Sequence, residues 1–149
     1  MKLISSHGWL RSGLTGLLCL ASSFVTNATC LDPKLTVAKE AARAPLVVIG
    51  VATASQDVPD PEDVESSIYT IYVVKVTHVF KGHVSKKSIW IFSDNTSARY
   101  PMDIGKPDLL FISQGRGTYF VDNCGNSGPL DEQKKEFEQV KALALKGKP

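Results

Sequence analysis

The sequence predicts a mainly β domain in which five strands, flanked by a short N-terminal helix and a longer C-terminal one, close into a small Greek-key barrel. Three observations carry this. Apolar runs of strand length recur between polar breaks rich in glycine and proline, and helical spacing of apolar residues occurs only near the two ends of the domain. The run "YVVKVTHVFKG", with the residues just before it, is apolar on both sides at its start and on one side later, as a long coiled strand shared between the two halves of a barrel would be. A two-sheet sandwich is the alternative for the same strands.

Lys2 and Arg11 supply a positive n-region and Leu14 to Val25 an apolar run of about a dozen residues, the pattern of a secretory signal peptide. That run falls short of the roughly twenty residues a membrane span needs. Thr26-Asn27-Ala28 offers small residues for cleavage. Residues 1–28 are therefore read as a signal peptide, and residues 29–149 as one secreted or periplasmic domain with no membrane span after cleavage. A chain of that length buries around two-thirds of its unfolded surface and needs a single core. Loss of Lys2 and Arg11 cancels the small positive excess of the whole chain. Bulk charge thus argues against a nucleic-acid partner, whose phosphates call for a basic bias.

Cys19 leaves with the leader, so the exported chain keeps Cys30 and Cys124 near its two ends. In an oxidising compartment one bridge between them is expected, the alternative being two unrelated buried thiols. Closing so large a loop stabilises a fold by about 4 to 5 kcal/mol on the chain-entropy model.

The elements follow in order. "LDPKLTVAKEAARAP" places Leu35, Ala38 and Ala42 at helical spacing, with Pro45 as the stop. "LVVIGVATAS" is a strand in which Gly50 predicts a bulge or tight bend. "QDVPDPEDVESS" reads as a loop. From Ser67 on, Ile68, Tyr72, Val74, Val76 and Phe80 form one apolar row; on the other side Tyr69, Ile71 and Val73 give way to Lys75 and Thr77. Phe80 is expected to fill one end of the barrel, with Lys81 in water and Gly82 permitting the turn. "SIWIFS" is a strand and "DNTSARYPMDIGKP" a polar loop. "DLLFIS" and "TYFVDN" flank the short hairpin loop "QGRG". The last stretch has Asp131 and Glu132 early, lysines late, Gly147 at its end and Phe137, Val140 and Ala144 on one face, which predicts a terminal amphipathic helix. Five strands between two helices suit a barrel of the OB type.

In their order, "APLVVIGVAT", "YVVKVTHVFKG", "DIGKPDLLFIS" and "VDNCGNSGPL" resemble the netrin-like modules and, more narrowly, the tissue inhibitors of metalloproteinases and their small bacterial relatives. The resemblance covers most of the chain after the leader. It implies an OB barrel with a binding role and no enzymatic activity. The inhibitors begin with a Cys-x-Cys whose first cysteine chelates the target protease's zinc. Cys30 and Cys124 suit the pair that joins the second of those cysteines to the exit of the last barrel strand. Ala28 stands where the first would be, and Asp94 to Pro107 contains no partner for it. Both halves of the chelating bridge are absent, so inhibition by the usual mechanism is not expected.

His78 and His83 are the only histidines after the leader, too few for a zinc site, so no metal and no cofactor are expected. Asp57, Asp60, Glu62, Asp63 and Glu65 lack the spacing and central glycine of a calcium loop and read as a solvated charged loop. Lys81, Lys86 and Lys87 form a small basic cluster that either stays solvated or meets an anionic ligand. No serine lies in a G-x-S-x-G context, so nothing points to an enzyme. Trp90, Phe92, Tyr100, Tyr119 and Phe120 include candidates for a stacking surface, although alternation sends about half of them to the core. Asn95-Thr96-Ser97 is a glycosylation sequon. The leading expectation is a non-enzymatic module that binds a protein partner; the alternatives are a metalloprotease inhibitor of modified mechanism and an OB domain for a saccharide or other anionic polymer.

Overall fold

A computed structural model describes residues 30, 33–63, 65–96 and 99–146, so the expected leader and Gly147 lie outside the described residues. Helix α1 (Val37–Arg43) is shorter than its sequence pattern because Thr36 caps it, its hydroxyl accepting from the Lys39 amide at 3.3 Å, and Leu35 falls before the cap. Pro45 follows the closing residue, Ala44. Strand β1 (Leu46–Pro59) and strand β2 (Ser67–Lys81) then form a long antiparallel pair. Strands β3 (Ser88–Asp94), β4 (Pro107–Gly115), β5 (Thr118–Val121) and the two-residue β6 (Gly128–Pro129) precede helix α2 (Lys134–Lys146).

Hydrogen bonding runs β1-β2-β3-β5-β4-β6, and β1 also pairs with β4. The first five strands therefore form a ring, with β6 attached to its β4 member. Every pairing is antiparallel except β3 with β5, which meet in parallel at Ile91 and Tyr119. The mainly β expectation with a helix near each end holds; β6 was not foreseen. Two cores result. Inside the ring lie Leu46, Val48, Val74, Ile91, Leu110 and Ile112. Between the ring and the helices lie Val37, Val47, Leu109, Phe111 and Val140. β4 serves both, Leu110 and Ile112 facing in while Leu109 and Phe111 face the helices. An unbroken apolar run is what a strand covered on both sides requires.

Several expectations change on contact with the pairing. Gln56 to Pro59 belong to β1 rather than to a loop, because pairing with β2 as far as Ser67 overrides their weak strand propensity. Tyr100 and Met102, inside the nominally polar loop, are buried in the interior core, where they fill space the short strands leave open. Asp131 and Glu132 stand in the turn ahead of α2, not in its first turn.

The Phe-Lys-Gly terminus of β2 also differs from its expected role. Pairing steps from Gly50↔Val76 to Ile49↔His78, leaving Thr77 as an extra residue, and again skips Phe80 between Val79 and Lys81. An extra residue reverses the alternation of a strand. Phe80 thus joins the outer core, packing edge-on against Phe137 at 5.9 Å, instead of filling the end of the ring. Lys81 is exposed, as expected, but it also has a structural role. Its ammonium donates to the Ala41 carbonyl at 2.7 Å and the Ala42 carbonyl at 2.8 Å, closing the end of α1 where the helix dipole favours a cation. Gly82 has φ of 86° and its Cα faces the Pro45 carbonyl, so any side chain there would meet backbone.

Candidate binding face

The outer surface of β1, β2 and β3 carries residues that the sequence pattern assigns to a covered face. Tyr69, Ile71 and Val73 were expected to be covered. They sit instead on the outside of the ring, half-buried only by one another and by neighbouring strands. Register builds the surface as three cross-strand rows: Ala54–Val73–Trp90, Gln56–Ile71–Phe92 and Val58–Tyr69–Asp94. The opposite-facing partners Tyr72, Val74, Ile89 and Ile91 are buried inside. A register shift between Ala52 and Ala54 puts Thr53 out of the pairing, its hydroxyl donating to the Val73 carbonyl at 3.0 Å, and turns Ala54, Gln56 and Val58 outward.

Trp90 is 62% exposed at one edge of this surface. Phe92, two residues along, is half-buried, with its ring 5.8 Å from that of Tyr69. The apolar rows carry charge only at their ends, at Asp94 and, one pair beyond Trp90, at Lys75. Single exposed apolar residues are ordinary, whereas a contiguous set of this kind is a candidate interaction surface.

Beside Trp90 opens a cleft of about 490 Å³ whose walls include His83, Lys86, Ser88, Thr118 and Tyr119. Its only ionisable walls besides the phenol of Tyr119 are a histidine and a lysine, so any charge it attracts is negative. It forms where β3 and β5 share a single pairing. The tight Arg116-Gly117 turn, with φ of 49° and 83°, brings Thr118 back to its edge.

The remaining sequence candidates are dispersed. Cys30 and Cys124 form a disulfide, with Cα atoms 5.7 Å apart. Nearby, the Asn126 amide donates to Glu40 at 2.8 Å and its side chain to the Leu35 carbonyl at 2.9 Å, so the bridge region is also tied to α1 by hydrogen bonds. His78 stacks near Phe80 with ring centroids 4.4 Å apart, and His83 lies in the β2–β3 turn. Among the described residues no group of three or more His, Cys, Asp or Glu is placed to hold a metal, and no helix is long and apolar enough to cross a membrane. Asp57 accepts from the Thr70 hydroxyl at 2.5 Å, while Asp60 and Asp63 accept from the amides of Glu62 and Glu65 in side-chain-closed turns. Lys87 is exposed. Tyr100 is buried, and Phe120, 40% exposed, lies over Gly115 on β4. Asn95 is exposed, whereas Ser97 of the sequon lies outside the described residues.

One buried polar pair was not anticipated. Asp108, only 3% exposed, accepts from the Tyr100 hydroxyl at 3.2 Å through one oxygen, and its other oxygen has no partner. Burial raises the carboxyl pKa to about 6, with the nearby Asp103 and Asp131 adding to the shift and the Tyr100 bond and Lys106 opposing it. The Tyr100 hydroxyl is itself pushed far up by burial and by Asp108. No family model matches the chain, and no curated protein matches it either.

Proposed function

We propose that this chain is an exported, non-enzymatic binding module built on an OB-type Greek-key barrel of the netrin-like kind, and that it docks a protein partner on the β1–β2–β3 face around Trp90. The ring order, with β1 closing on β4 and β3 meeting β5 in parallel, supports the OB reading. Export is supported by the leader pattern and by the disulfide, which persists in oxidising compartments. With both cysteines consumed by that bridge, no thiol among the described residues is left to act as a nucleophile.

The observation that carries the docking surface is Trp90, 62% exposed beside Val73, Ile71 and Phe92 in paired rows. Tryptophan and tyrosine set among aliphatic neighbours supply rigid apolar area, and such residues dominate the energy of protein interfaces. The aliphatic members would give a sugar no hydrogen bonds. Zinc chelation has no part in this reading, because the nearest cysteine, Cys30, follows the expected new terminus by one residue and chelation needs a rigidly held ligand.

The test is to identify the extracytoplasmic partner by site-specific cross-linking from position 71, then to measure its affinity for the parent, Trp90→Ala and Val73→Glu. Truncating a hot spot costs about 2 kcal/mol or more, roughly thirty-fold in Kd. A cross-linked partner that binds all three proteins alike would remove the face from consideration. The neighbouring cleft favours a second reading, an anionic saccharide stacked on Trp90 and met by Lys86 and His83. Lys86→Gln would then weaken binding and Val73→Glu would not, the reverse of the order expected for a docked protein.

A further inference from the structure

A second, larger depression lies between α1, α2 and the paired ends of β1 and β2, and it shares no lining residue with the Trp90 face. Its volume is about 890 Å³. Small residues line it, Ala38, Ala41 and Ala42 on α1 and Ala144 on α2. Its floor is the outer core, where Val47, Phe80 and Val140 close the bottom. Its rim is apolar as well. Val79, Leu143 and Leu145 are 39%, 37% and 74% exposed, so three of the seven large apolar side chains exposed among the described residues border this one groove.

The ionisable groups that line it are all bases: His78, Lys81 and Lys141. Lys141 is paired with Glu138 at 2.8 Å. Lys81 differs, because the two partners that hold its ammonium are the uncharged carbonyls of Ala41 and Ala42. They fix its position and, as the end of a short helix, offset only part of its charge, and they use two of its three N–H donors. A positive group held in place at the edge of an apolar trough is complementary to a molecule with one anionic head and one hydrocarbon chain. The volume falls within the span of about 300–1,000 Å³ typical of small-molecule sites. An extended peptide would bring backbone amides against walls that offer few polar groups to satisfy them, a cost an alkyl chain does not incur.

We propose that this groove binds a single-chain lipid carboxylate, its chain lying along Ile49, Val79, Phe80 and Leu143 and its carboxylate meeting Lys81. The proposal does not depend on the Trp90 reading, since neither surface contributes to the other. The test is calorimetric titration of the whole exported protein with dodecanoate at monomeric concentrations, alongside dodecyltrimethylammonium as the oppositely charged control. One-to-one saturable binding of dodecanoate is expected, with the ammonium compound at least about tenfold weaker, as loss of a charge-assisted hydrogen bond implies. Lys81→Gln should weaken dodecanoate by a similar factor. Because Lys81 also closes α1, Val79→Glu provides a variant at an exposed position, and it should reduce binding at least as much while leaving the thermal melt unchanged. Equal affinity for both amphiphiles, uptake of many molecules without saturation, or undiminished binding by Val79→Glu would each overturn the proposal.

Discussion

Asp108→Asn offers the sharpest test of the physical reasoning, because one substitution removes a titration without changing shape. The Asp108 carboxyl is buried on β4, with one oxygen held by Tyr100 and the other unpartnered. Its pKa rises from 3.8 to about 6, first because burial disfavours the anion and then because Asp103 and Asp131 repel it. In the unfolded chain the same group ionises near its ordinary value. Between pH 4 and 6 the folded state therefore holds the extra proton, and the contribution of this group to stability falls as pH rises through that window. Two pH units correspond to about 3 kcal/mol, fully lost above the folded-state pKa. Asparagine is always neutral, and its oxygen still accepts from Tyr100. The stability of Asp108→Asn minus that of the parent should therefore grow by about 2 to 3 kcal/mol between pH 4 and pH 7, whatever its value at the acid end. Urea unfolding at constant slope, performed across that range on both proteins, reads the difference directly. Carboxylates that do not interact with Asp108 cancel in the subtraction. Parallel stability curves, with a difference flat to within about 0.5 kcal/mol, would refute the burial argument, since a shifted carboxyl cannot hide from proton linkage.

Two further outcomes follow from the packing around the helices. Cys124→Ser should lower stability by up to about 4 kcal/mol, less if the Asn126 bonds to Glu40 and Leu35 keep the ends together in part, and a urea-midpoint change equivalent to under 1 kcal/mol would show that the bridge constrains little. Phe80→Ala should cost about 2 to 3 kcal/mol, below the usual range for a fully enclosed phenylalanine because its ring is only half-buried, while Lys81→Ala should cost about 1 kcal/mol through the open end of α1; denaturant melts that reverse this order would make the lysine the structural member of the pair.

Which parts of this molecule could be read from its sequence is decided by which parts obey a local period. The doubly covered strand Pro107–Gly115 announces itself as an unbroken apolar run, and the Cys30–Cys124 bridge follows from the count of cysteines once the expected leader is left out of it. Phe80 could not be placed that way. Alternation is a local rule, and the extra residues at Thr77 and Phe80 that reverse it arise only in pairing with β1. Tyr100 and Met102 were missed for the opposite reason: their neighbours are polar, and no period within the loop reveals that two side chains point into the ring. The Trp90 surface shows the deeper ambiguity. Ile71 and Val73 are apolar opposite an apolar row, which in a sequence can mean a strand with two covered faces or a strand with one core face and one face reserved for a partner. Hydrophobicity records what a side chain must eventually leave water to meet, and it is silent on whether the meeting occurs within the chain or with another molecule. The two arrangements separate only when the fold assigns its helices. Here α1 and α2 cover Val47, Leu109 and Phe111, and once they do, no described element packs over Val73 and Trp90. The same placement opens the groove beside Lys81, since the alanines that let the helices approach the sheet leave the volume between them unfilled. Both surfaces are consequences of where two short helices settle on the ring, which is why the residue types are visible in the sequence and the surfaces they form are not.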